Sequence, residues 1–304
     1  MYSKDRLYQV LGSTVEWLSH PEKVLYKSKG YTKLELAEYY YRIYDFIHAH
    51  IAGRPVILKR FVEGWPGIAF FQRNRPAGAP DFIRSVELGV HKKAEYIVIE
   101  ELRDLLYLVN IDTLELHVMP VRTPHFYRPD FVIFDLDPPW EEGYKIEDAS
   151  RASVEVAFVL RDILKAYGFN PYVKTSGKKG VHIFCPIRPQ YSFQQVFGAA
   201  FRIAEQTMKK VPNTTTERQR EKRQGQLLID VYRNHPMQSV VAPYSTRATD
   251  AATVSMPLPW EELAVLTSPV EFTIATVPRW LVERGDAWRE IDRMCTPIPH
   301  ELLS

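Results

Sequence analysis

The sequence predicts an α/β (α+β) fold, because short apolar strands alternate with amphipathic helices along its 304 residues. Its composition, 45% hydrophobic and 25% charged, is typical of a packed globular core. The second half gives the clearest order of elements, with strands and helices expected at 131–137, 150–167, 172–175, 181–184, 192–210 and 227–232. This strand–helix–strand–strand–helix–strand order is typical of a ferredoxin-like, RNA-recognition-type layer.

The first half predicts an N-terminal α/β lobe. Thr32 and Glu35 form a capping box at the start of a helix that is expected to end near Gly53. The helix is expected because apolar residues follow at spacings of three and four. Strands are expected at 55–61, 69–72, 82–88, 96–99 and 114–119.

The segment 120–129 is predicted to be the junction of two lobes, because it holds three prolines. The junction divides the chain into residues 1–122 and 123–304, and we expect the two lobes to pack as one compact domain. Shorter helices are expected after Pro259 and from 284 to 295.

The net charge and the cysteine content limit the classes of protein to which the chain could belong. The net charge is only +2, so the molecule as a whole is not a polycation. Cys185 and Cys295 form no CxxC or metal-ligand spacing and predict no disulfide framework. Free thiols suit a reducing cytosol. The N-terminus has no apolar signal region, and no apolar run approaches the length of a membrane span. We therefore expect a soluble cytoplasmic protein without a membrane partner.

Two aspartates close the apolar strand 131–137. Asp135 and Asp137 are two positions apart, so their side chains leave the same face of the strand, about 7 Å apart by strand rise. Two like charges at the end of an apolar strand are costly unless a cation neutralises them. Oxygen ligands favour Mg²⁺ or Mn²⁺. A solvated strand end is the alternative interpretation of this pair on its own.

A third aspartate, Asp230, lies at the centre of the apolar run 226–232. A buried acid without a partner is unfavourable, so Asp230 should meet a cation or a metal ion. Three acids on two strands are the ligand set of a two-metal phosphoryl-transfer centre. The sequence therefore predicts that Asp230 meets Asp135 and Asp137 around divalent ions.

The segment 174–182, between two predicted strands, combines glycines with Ser176, Lys179 and His182. Glycines let the backbone approach a ligand, and hydroxyl and ammonium groups can cradle phosphate. The spacing is not that of a Walker loop. These residues predict a phosphate-binding turn, and the alternative interpretation is a plain glycine hairpin with a structural histidine.

Basic residues elsewhere are further candidates for phosphate contacts. Arg233 and Arg247 carry guanidinium groups that suit phosphate oxygens, although either could form a surface salt bridge instead. The segment 209–223 holds six basic residues and two glutamates. It predicts a flexible basic loop that contacts a nucleic-acid backbone, or else an ordinary solvated loop.

Phe70 and Phe71 are neighbours in a predicted strand, so their rings should face opposite sides. We expect one ring to be buried, and the other could offer a stacking platform for a base. Lys33 lies in the first turn of the first helix, where the helix dipole disfavours a cation. An anion is therefore expected near Lys33.

Motifs along nearly the whole chain carry a family resemblance. They include Leu58-Lys59-Arg60, Phe70-Phe71-Gln72, Leu116-His117-Val118, Phe134-Asp135-Leu136-Asp137-Pro138, Thr175-Ser176-Gly177, Ile229-Asp230, and Val241-Ala242-Pro243-Tyr244-Ser245 with Arg247. With them the chain resembles the polymerase domain of bacterial ligase D, in the archaeo-eukaryotic primase superfamily. The resemblance implies a primase-polymerase fold, with an N-terminal α/β lobe and an RNA-recognition-motif-like catalytic lobe that has a mixed or antiparallel sheet.

The resemblance also implies roles for matching residues. The metal ligands would be Asp135, Asp137 and Asp230. The incoming nucleotide would contact His117, Ser176, Lys179, His182, Arg233 and Arg247. The templating base would stack on Phe70 or Phe71, and a downstream 5′-phosphate would lie between Lys23 and Lys33. The further DNA contacts would be Lys59, Arg220 and Arg223.

The implied activity is template-dependent addition of NTPs or dNTPs to a primer 3′-hydroxyl, for gap filling and end extension in non-homologous end joining. The implied cofactors are two Mn²⁺ or Mg²⁺ ions. The implied partners are gapped or broken duplex DNA with a 5′-phosphate, Ku and a separate DNA ligase, near the nucleoid of a bacterial or archaeal cell. His20 departs from the asparagine that the family commonly has beside the 5′-phosphate pocket.

Other functions stay open at the level of sequence. The printed residues hold no ligase lysine motif and no phosphoesterase module, so we expect a stand-alone polymerase or an excised domain, and a stand-alone member could prime new strands instead. A haloacid-dehalogenase-type phosphatase also places DxD after an apolar strand, but Pro139 stands where that class has Thr or Val. A glycosyltransferase DxD site and a non-catalytic DNA-end-binding module are the remaining alternatives.

Overall fold

The computed structural model describes residues 18–139 and 145–303. The first half forms, in order, β1 (Val24–Tyr26), β2 (Tyr31–Thr32), α1 (Lys33–Arg42), α2 (Tyr44–Ile51), β3 (Pro55–Arg60), β4 (Phe70–Gln72), β5 (Ser85–Leu88), β6 (Ala94–Val98), α3 (Leu102–Asn110) and β7 (Thr113–Val118). The predicted capping box at Thr32 and Glu35 is present and begins α1.

The second half contains the elements on which the site is built. In order they are β8 (Phe131–Asp137), α4 (Ile146–Ala166), β9 (Tyr172–Thr175), β10 (Val181–Pro186), α5 (Phe193–Lys210), β11 (Thr214–Thr215), β12 (Leu227–Asp230), β13 (Val240–Val241), β14 (Pro257–Leu258), α6 (Trp260–Ala264) and α7 (Val277–Arg284). Single 3₁₀ turns lie at Arg220–Lys222, Tyr232–Asn234, Pro269–Glu271, Ile291–Arg293 and His300–Leu302.

The second-half strands form a sheet in the order β11–β12–β8–β10–β9–β14. Within it β8 is antiparallel to both β10 and β12, and β10 is antiparallel to β9. This arrangement of β8, β9, β10 and β12 around α4 and α5 is the ferredoxin-like order that the sequence predicted. The α/β (α+β) fold class is therefore confirmed.

The first-half strands form another sheet in the order β13–β7–β3–β6–β5, and β4 pairs with the outer part of β3. Its edge strand β13 comes from the second half of the chain and pairs with β7 through Val240↔Val118 and Val241↔His117. The two sheets are therefore joined by the chain itself, close to His117. The division at residue 122 stays a prediction.

The strand β8 separates two environments. Val132, Phe134 and Leu136 are fully buried in the core that also contains apolar residues of α4 and α5. Phe131 and Ile133, on the other face, pack in a smaller cluster with Trp288. Because side chains alternate along a strand, that second face continues into Asp135 and Asp137 where the apolar cover ends.

Several predicted elements differ from the structure. The single helix expected up to Gly53 is two helices, because Ile43 leaves the helical conformation with φ −104° and ψ 8°. The helix expected at 284–295 is wrong: α7 ends at Arg284, and Gly285 follows with φ 75°, a left-handed conformation that suits glycine. The sequence analysis also missed α3, and it treated as a flexible loop the residues that form β11.

Within residues 18–139 and 145–303, no helix combines the length and the apolar composition that crossing a bilayer requires.

A buried ion pair ties the junction segment to the first sheet. Arg54 is 1% exposed and lies just before β3. Its guanidinium donates two hydrogen bonds to the Asp130 carboxylate, at 2.8 and 2.6 Å, and a third to the backbone oxygen of His50 at 3.0 Å. Bidentate pairs of this kind are geometrically specific. The contact anchors the residue that precedes β8.

We predict that Asp130→Ala lowers the free energy of unfolding by about 3 kcal/mol, because it leaves a buried guanidinium without its carboxylate. Urea unfolding measures the change. The control is Glu87→Ala, which breaks the exposed pair with Lys93 at 2.7 Å and should cost less than about 1 kcal/mol. Equal losses in the two variants would contradict the prediction.

Candidate active site

The three aspartates meet on one face of the second sheet. The register of β12 against β8 places Asp230 directly opposite Asp135 and Leu228 opposite Asp137. Directly opposite Cα atoms in antiparallel strands are about 4.5–5.5 Å apart, and their side chains share a face. Asp230 is 6% exposed, as expected for an acid within an apolar run. The position of Asp230 beside Asp135, on which the sequence interpretation depended, is therefore present.

Arg233 lies between the two facing carboxylates. Its guanidinium is 3.0 Å from Asp135 Oδ2 through a terminal nitrogen and 3.3 Å from Asp230 Oδ2 through Nε. The side chain of Asn234, fully buried, exchanges hydrogen bonds with the backbone of Ile133 at 2.8 and 2.7 Å. This amide fixes the turn after β12 against β8, and so holds Arg233 over the carboxylates.

The two facing carboxyl groups respond differently to this environment. Burial raises the pKa of Asp230, and the negative charge of Asp135 raises it further against the opposing effect of Arg233. Burial would also raise the pKa of Asp135, but His182 and Arg233 outweigh it through their electrostatic interactions and hydrogen bonds with the carboxylate, so that pKa lies far below its usual range. The Asp135 carboxylate is therefore ionised, whereas the positive charge of Arg233 does not fully offset the cost of burying a charge on Asp230.

Asp137 lies at the open end of the same face, with its side chain 41% exposed. Lys179 Nζ is 3.3 Å from one carboxylate oxygen, and an Arg223 nitrogen is 3.4 Å from the other. Lys179 also donates to the backbone oxygen of Pro138 at 2.8 Å. Both predicted cations therefore border the carboxylate cluster.

The carboxylates have the donor chemistry that Mg²⁺ or Mn²⁺ prefers, because all three side chains offer oxygen only. Among the described residues, however, no three His, Cys, Asp or Glu side chains already form a ready-made metal cage. The Arg233 guanidinium lies between Asp135 and Asp230. The residues therefore fit a divalent ion, provided that the ion replaces the contacts of Arg233.

The hairpin between β9 and β10 is shaped by Ser176 and two glycines. Ser176 Oγ accepts hydrogen bonds from the backbone N–H of Lys178 at 3.2 Å and of Gly180 at 3.1 Å. Gly177 has φ 72°, and a Cβ there would be 2.6 Å from Arg247 Cγ. A Cβ at Gly180 would be 2.2 Å from the backbone oxygen of Leu136. Only glycine lets this turn pack between the strand end and Arg247.

A buried glutamate collects cations on the other side of the cleft. Glu115, 0% exposed, is two positions before His117 in β7. Its carboxylate lies 3.2 Å from Arg247, 3.6 Å from Lys178 and 3.5 Å from Lys59. Burial would raise the pKa of Glu115, but Arg247, His117 and Lys178 hold it well below its usual range. One carboxylate cannot neutralise three cations, so this wall of the cleft attracts a further anion.

These groups line one cavity of about 400 Å³ between the two sheets. Its predicted lining residues are His117, Asp135, Asp137, Ser176, Lys179, His182, Arg223, Asp230, Arg233 and Arg247. A smaller adjoining cavity, about 270 Å³, is lined by Arg220 together with Asp137, Lys179 and Arg223. The cleft thus has a carboxylate wall and a cationic wall that face each other.

The phenylalanine pair differs from the expectation that one ring is buried. Phe70 is 43% exposed and Phe71 is 60% exposed. The expectation was wrong: β4 is a three-residue strand paired with β3, and both of its rings remain largely exposed. Phe71 nevertheless contacts the site: its ring centre is 5.6 Å from that of His117, and Lys59 Nζ lies 5.6 Å above the ring.

Lys23 and Lys33 converge on Asp112. Lys23 Nζ is 2.7 Å and Lys33 Nζ is 3.1 Å from the two oxygens of that carboxylate. The anion that was expected near Lys33 is therefore Asp112. The Lys33 side chain is only 3% exposed, whereas that of Lys23 is 31% exposed, so Lys23 is the accessible cation of the pair.

Comparison with known proteins identifies the family. Residues 32–288 match the family model described as LigD, primase-polymerase domain. The chain belongs to this family. It is thereby a polymerase-type nucleotidyltransferase, and the resemblance found in the sequence is confirmed.

The family members similar to this chain are longer proteins. The bifunctional non-homologous end joining protein LigD of Bacillus subtilis is 32% identical over 87% of this chain and 42% of that protein. The multifunctional LigD of Mycolicibacterium smegmatis is 31% identical over 81% of this chain and 32% of that protein. The chain therefore spans less than half the length of these curated relatives.

A solved structure has the same fold. It is the polymerase domain from Mycobacterium tuberculosis ligase D in complex with DNA, and it superposes with a TM-score of 0.82 at 27% identity. The superposition covers 91% of this chain and 98% of that domain.

Glu115 and Lys178 were missed in the sequence analysis of this LigD-type polymerase chain. Glu115 was considered only as part of a strand, although it shares a face with His117. Of these two neighbouring lysines only Lys179 was named as a candidate, but Lys178 lies near Glu115 on one wall and Lys179 near Asp137 on the other. An acid on the same strand face as a candidate site histidine was the available signal.

We predict that Glu115→Gln destabilises the protein by about 3 kcal/mol, because three cations lose the buried carboxylate between them. Inorganic tripolyphosphate should raise the melting temperature of the variant more than that of the parent, since the anion replaces the lost charge. Thermal unfolding measures both effects. The control is Glu283→Gln, in an exposed pair with Arg279; equal responses to tripolyphosphate in parent and Glu115→Gln would count against the prediction.

Proposed function

We propose that the chain is a template-dependent polymerase that adds NTPs or dNTPs to a primer 3′-hydroxyl, filling gaps and extending broken ends in non-homologous end joining. The observation that carries the proposal is the register that sets Asp230 against Asp135 beside Asp137, across the cleft from the cations around Glu115. A polymerase needs carboxylates at the reacting phosphate and positive charge at the triphosphate.

In the proposed reaction, the primer 3′-oxygen forms a bond to the α-phosphorus of the nucleotide, and the bond from that phosphorus to the bridging β-phosphate oxygen breaks. The primer hydroxyl loses its proton to solvent water, and pyrophosphate leaves with the electron pair of the broken bond. The protein mainly positions the reactants and supplies charge to the transition state. Asp135, Asp137 and Asp230 would hold two divalent ions, Mn²⁺ or Mg²⁺, which when bound would lower the pKa of the primer hydroxyl and offset charge on the leaving oxygens.

The cationic wall suits the triphosphate. Arg247, Lys178 and Lys59 lie around Glu115, and a triphosphate would supply the anionic charge that this group lacks. The Ser176–Gly180 turn, which lines the same cavity, would contact the phosphates. His117, which is 3.2 Å from Glu115, would face the sugar of the same nucleotide.

The exposed residues around the cleft suit DNA. Phe70 and Phe71 on the projecting strand β4 offer uncovered rings for the templating base. Lys23 offers an accessible ammonium group for a downstream 5′-phosphate, with Lys33 behind it and Asp112 between them. Arg220 and Arg223, which line the cavity beyond Asp137, would contact the primer-strand backbone.

The partners follow from the named relatives. These are non-homologous end joining proteins that extend well beyond the matched region. We propose that this chain works on gapped or broken duplex DNA with Ku and with a ligase activity that its own described residues do not supply.

We predict that Asp137→Ala abolishes primer extension on a gapped duplex and leaves DNA affinity within about threefold of the parent, because DNA affinity comes mainly from phosphate contacts. Extension gels with Mn²⁺ and a fluorescence titration with labelled duplex make the two measurements. The control is Asp162→Ala, whose side chain is 63% exposed on α4. Near-normal extension by Asp137→Ala would refute the assignment of the carboxylates.

We predict that Lys23→Ala removes the preference for a gap with a 5′-phosphate over one with a 5′-hydroxyl, a change of roughly tenfold in relative rate, because one charge-assisted hydrogen bond is lost. Extension on the two gapped duplexes measures the ratio. Lys165→Ala, an exposed lysine near the end of α4, serves as the control. An unchanged ratio in Lys23→Ala would place the 5′-phosphate elsewhere.

A further inference from the structure

Four polar residues form a row across four neighbouring strands of the second sheet, each directly opposite the next. Lys174 in β9 pairs with His182 in β10. His182 pairs with Asp135 in β8, and Asp135 pairs on its other side with Asp230 in β12. Residues that are directly opposite project from the same face of a sheet. The row therefore leads from the carboxylates, through one histidine, to a lysine that neither the sequence analysis nor the proposed mechanism uses.

Lys174 is fully buried, and its two side-chain hydrogen-bond partners, His182 and Ser255, are not carboxylates. Its Nζ is 2.8 Å from His182 Nδ1 and 2.5 Å from Ser255 Oγ. Ser255 donates its own hydroxyl hydrogen to the backbone oxygen of Thr175 at 2.8 Å, so its oxygen accepts from Lys174. An apolar side chain of the same length would avoid the cost of burying an amine. The presence of a buried amine at this position is therefore explained by its hydrogen bonds and not by the need to fill space.

The contacts determine which nitrogen of His182 carries the proton. Nε2 lies 3.2 Å from Asp135 Oδ1, and an ionised carboxylate can only accept a hydrogen bond. The Lys174 side chain places a donor group 2.8 Å from Nδ1, so Nδ1 carries no hydrogen and the ring has a single N–H. That N–H belongs on Nε2, facing Asp135. Nδ1 must then accept, and its donor is Lys174.

We propose that Lys174 is a positioning residue of the nucleotidyl-transfer site: its amine donates to His182 Nδ1 and thereby holds the imidazole as the Nε2–H tautomer, directed at Asp135. This inference rests on the proposed function for its kinetic consequence. Lys174 is not among the residues that line the cleft, whereas its partner His182 is. Second-layer donors that fix a histidine tautomer act in this way in other sites.

The test uses the whole chain, labelled with ¹⁵N-histidine, and a pair of variants. Lys174→Met removes the donor and keeps the volume, whereas Lys174→Gln removes the charge and keeps an N–H donor. The variant Lys93→Met, at a lysine in an exposed ion pair with Glu87, is the control. Histidine ¹⁵N–¹H correlation spectra, assigned with His182→Asn, report which ring nitrogen is protonated.

In the parent we expect His182 to be protonated on Nε2 alone. Lys174→Met should show mixed or Nδ1-protonated tautomers and lose about tenfold in kcat for gap filling. Lys174→Gln should keep the Nε2–H tautomer and recover most of that rate. If Lys174 only filled space, the His182 tautomer would be the same in Lys174→Met and Lys174→Gln. The spectra therefore distinguish a positioning role from a packing role.

An Nδ1-protonated His182 in the parent would overturn the inference, even if Lys174→Met failed to fold. An unchanged tautomer in folded Lys174→Met would overturn it too, as would equal loss of rate and tautomer in Lys174→Gln and Lys174→Met. The spectra require no turnover. A parent without nucleotidyl-transfer activity would thus refute the proposed function while the inference about the tautomer would still be tested.

Discussion

The register between β8 and β12 is the constraint on which the site depends. It sets Asp135 directly opposite Asp230, so two carboxyl groups share one partly covered face of the sheet. Like charges at that separation are unfavourable without a cation between them. Arg233 supplies the cation in the structure, and the buried Asn234 holds it there by fixing its turn to β8. The geometry thus creates a demand for positive charge that a divalent ion could meet.

The opposite wall of the cleft has an excess of positive charge, because three cations surround the single carboxylate of Glu115. Glu115 extends from the first sheet, while Arg247 and Lys178 come from segments attached to the second, so a single carboxylate holds both sheets together through their cations. The strand β13 reinforces this junction, because it pairs with β7 next to His117. A ligand that carries both negative phosphates and bound divalent cations would satisfy the two walls at once. That joint requirement describes a metal–nucleotide complex better than either component alone.

Much of this arrangement could be predicted from residue order. The alternation along 131–137 predicted which side chains leave the core, and the single acid in 226–232 predicted a partner strand, because burial of Asp230 is costly otherwise. What could not be predicted depends on long-range register. The turn at Gly177 decides whether Lys178 or Lys179 faces the cationic wall of the cleft. The role of Glu115 becomes visible only in the folded chain, where cations from three distant segments contact its carboxylate.

The errors have the same physical origin. Adjacent rings at Phe70 and Phe71 predict one buried side chain only if the strand lies inside a sheet, and β4 is a short edge strand. The helix expected at 284–295 is absent, because α7 ends at Arg284 and Gly285 adopts a left-handed conformation, which local apolar spacing does not encode.

The central claim is that divalent ions bind where Arg233 now bridges Asp135 and Asp230. Anomalous diffraction at the manganese edge, from crystals grown with Mn²⁺ and a non-hydrolysable nucleoside triphosphate, tests it most directly. The account predicts manganese peaks within bonding distance of Asp135, Asp137 and Asp230, with the Arg233 guanidinium moved off the carboxylates. Peaks only elsewhere, with Arg233 still bridging the two aspartates, would contradict it.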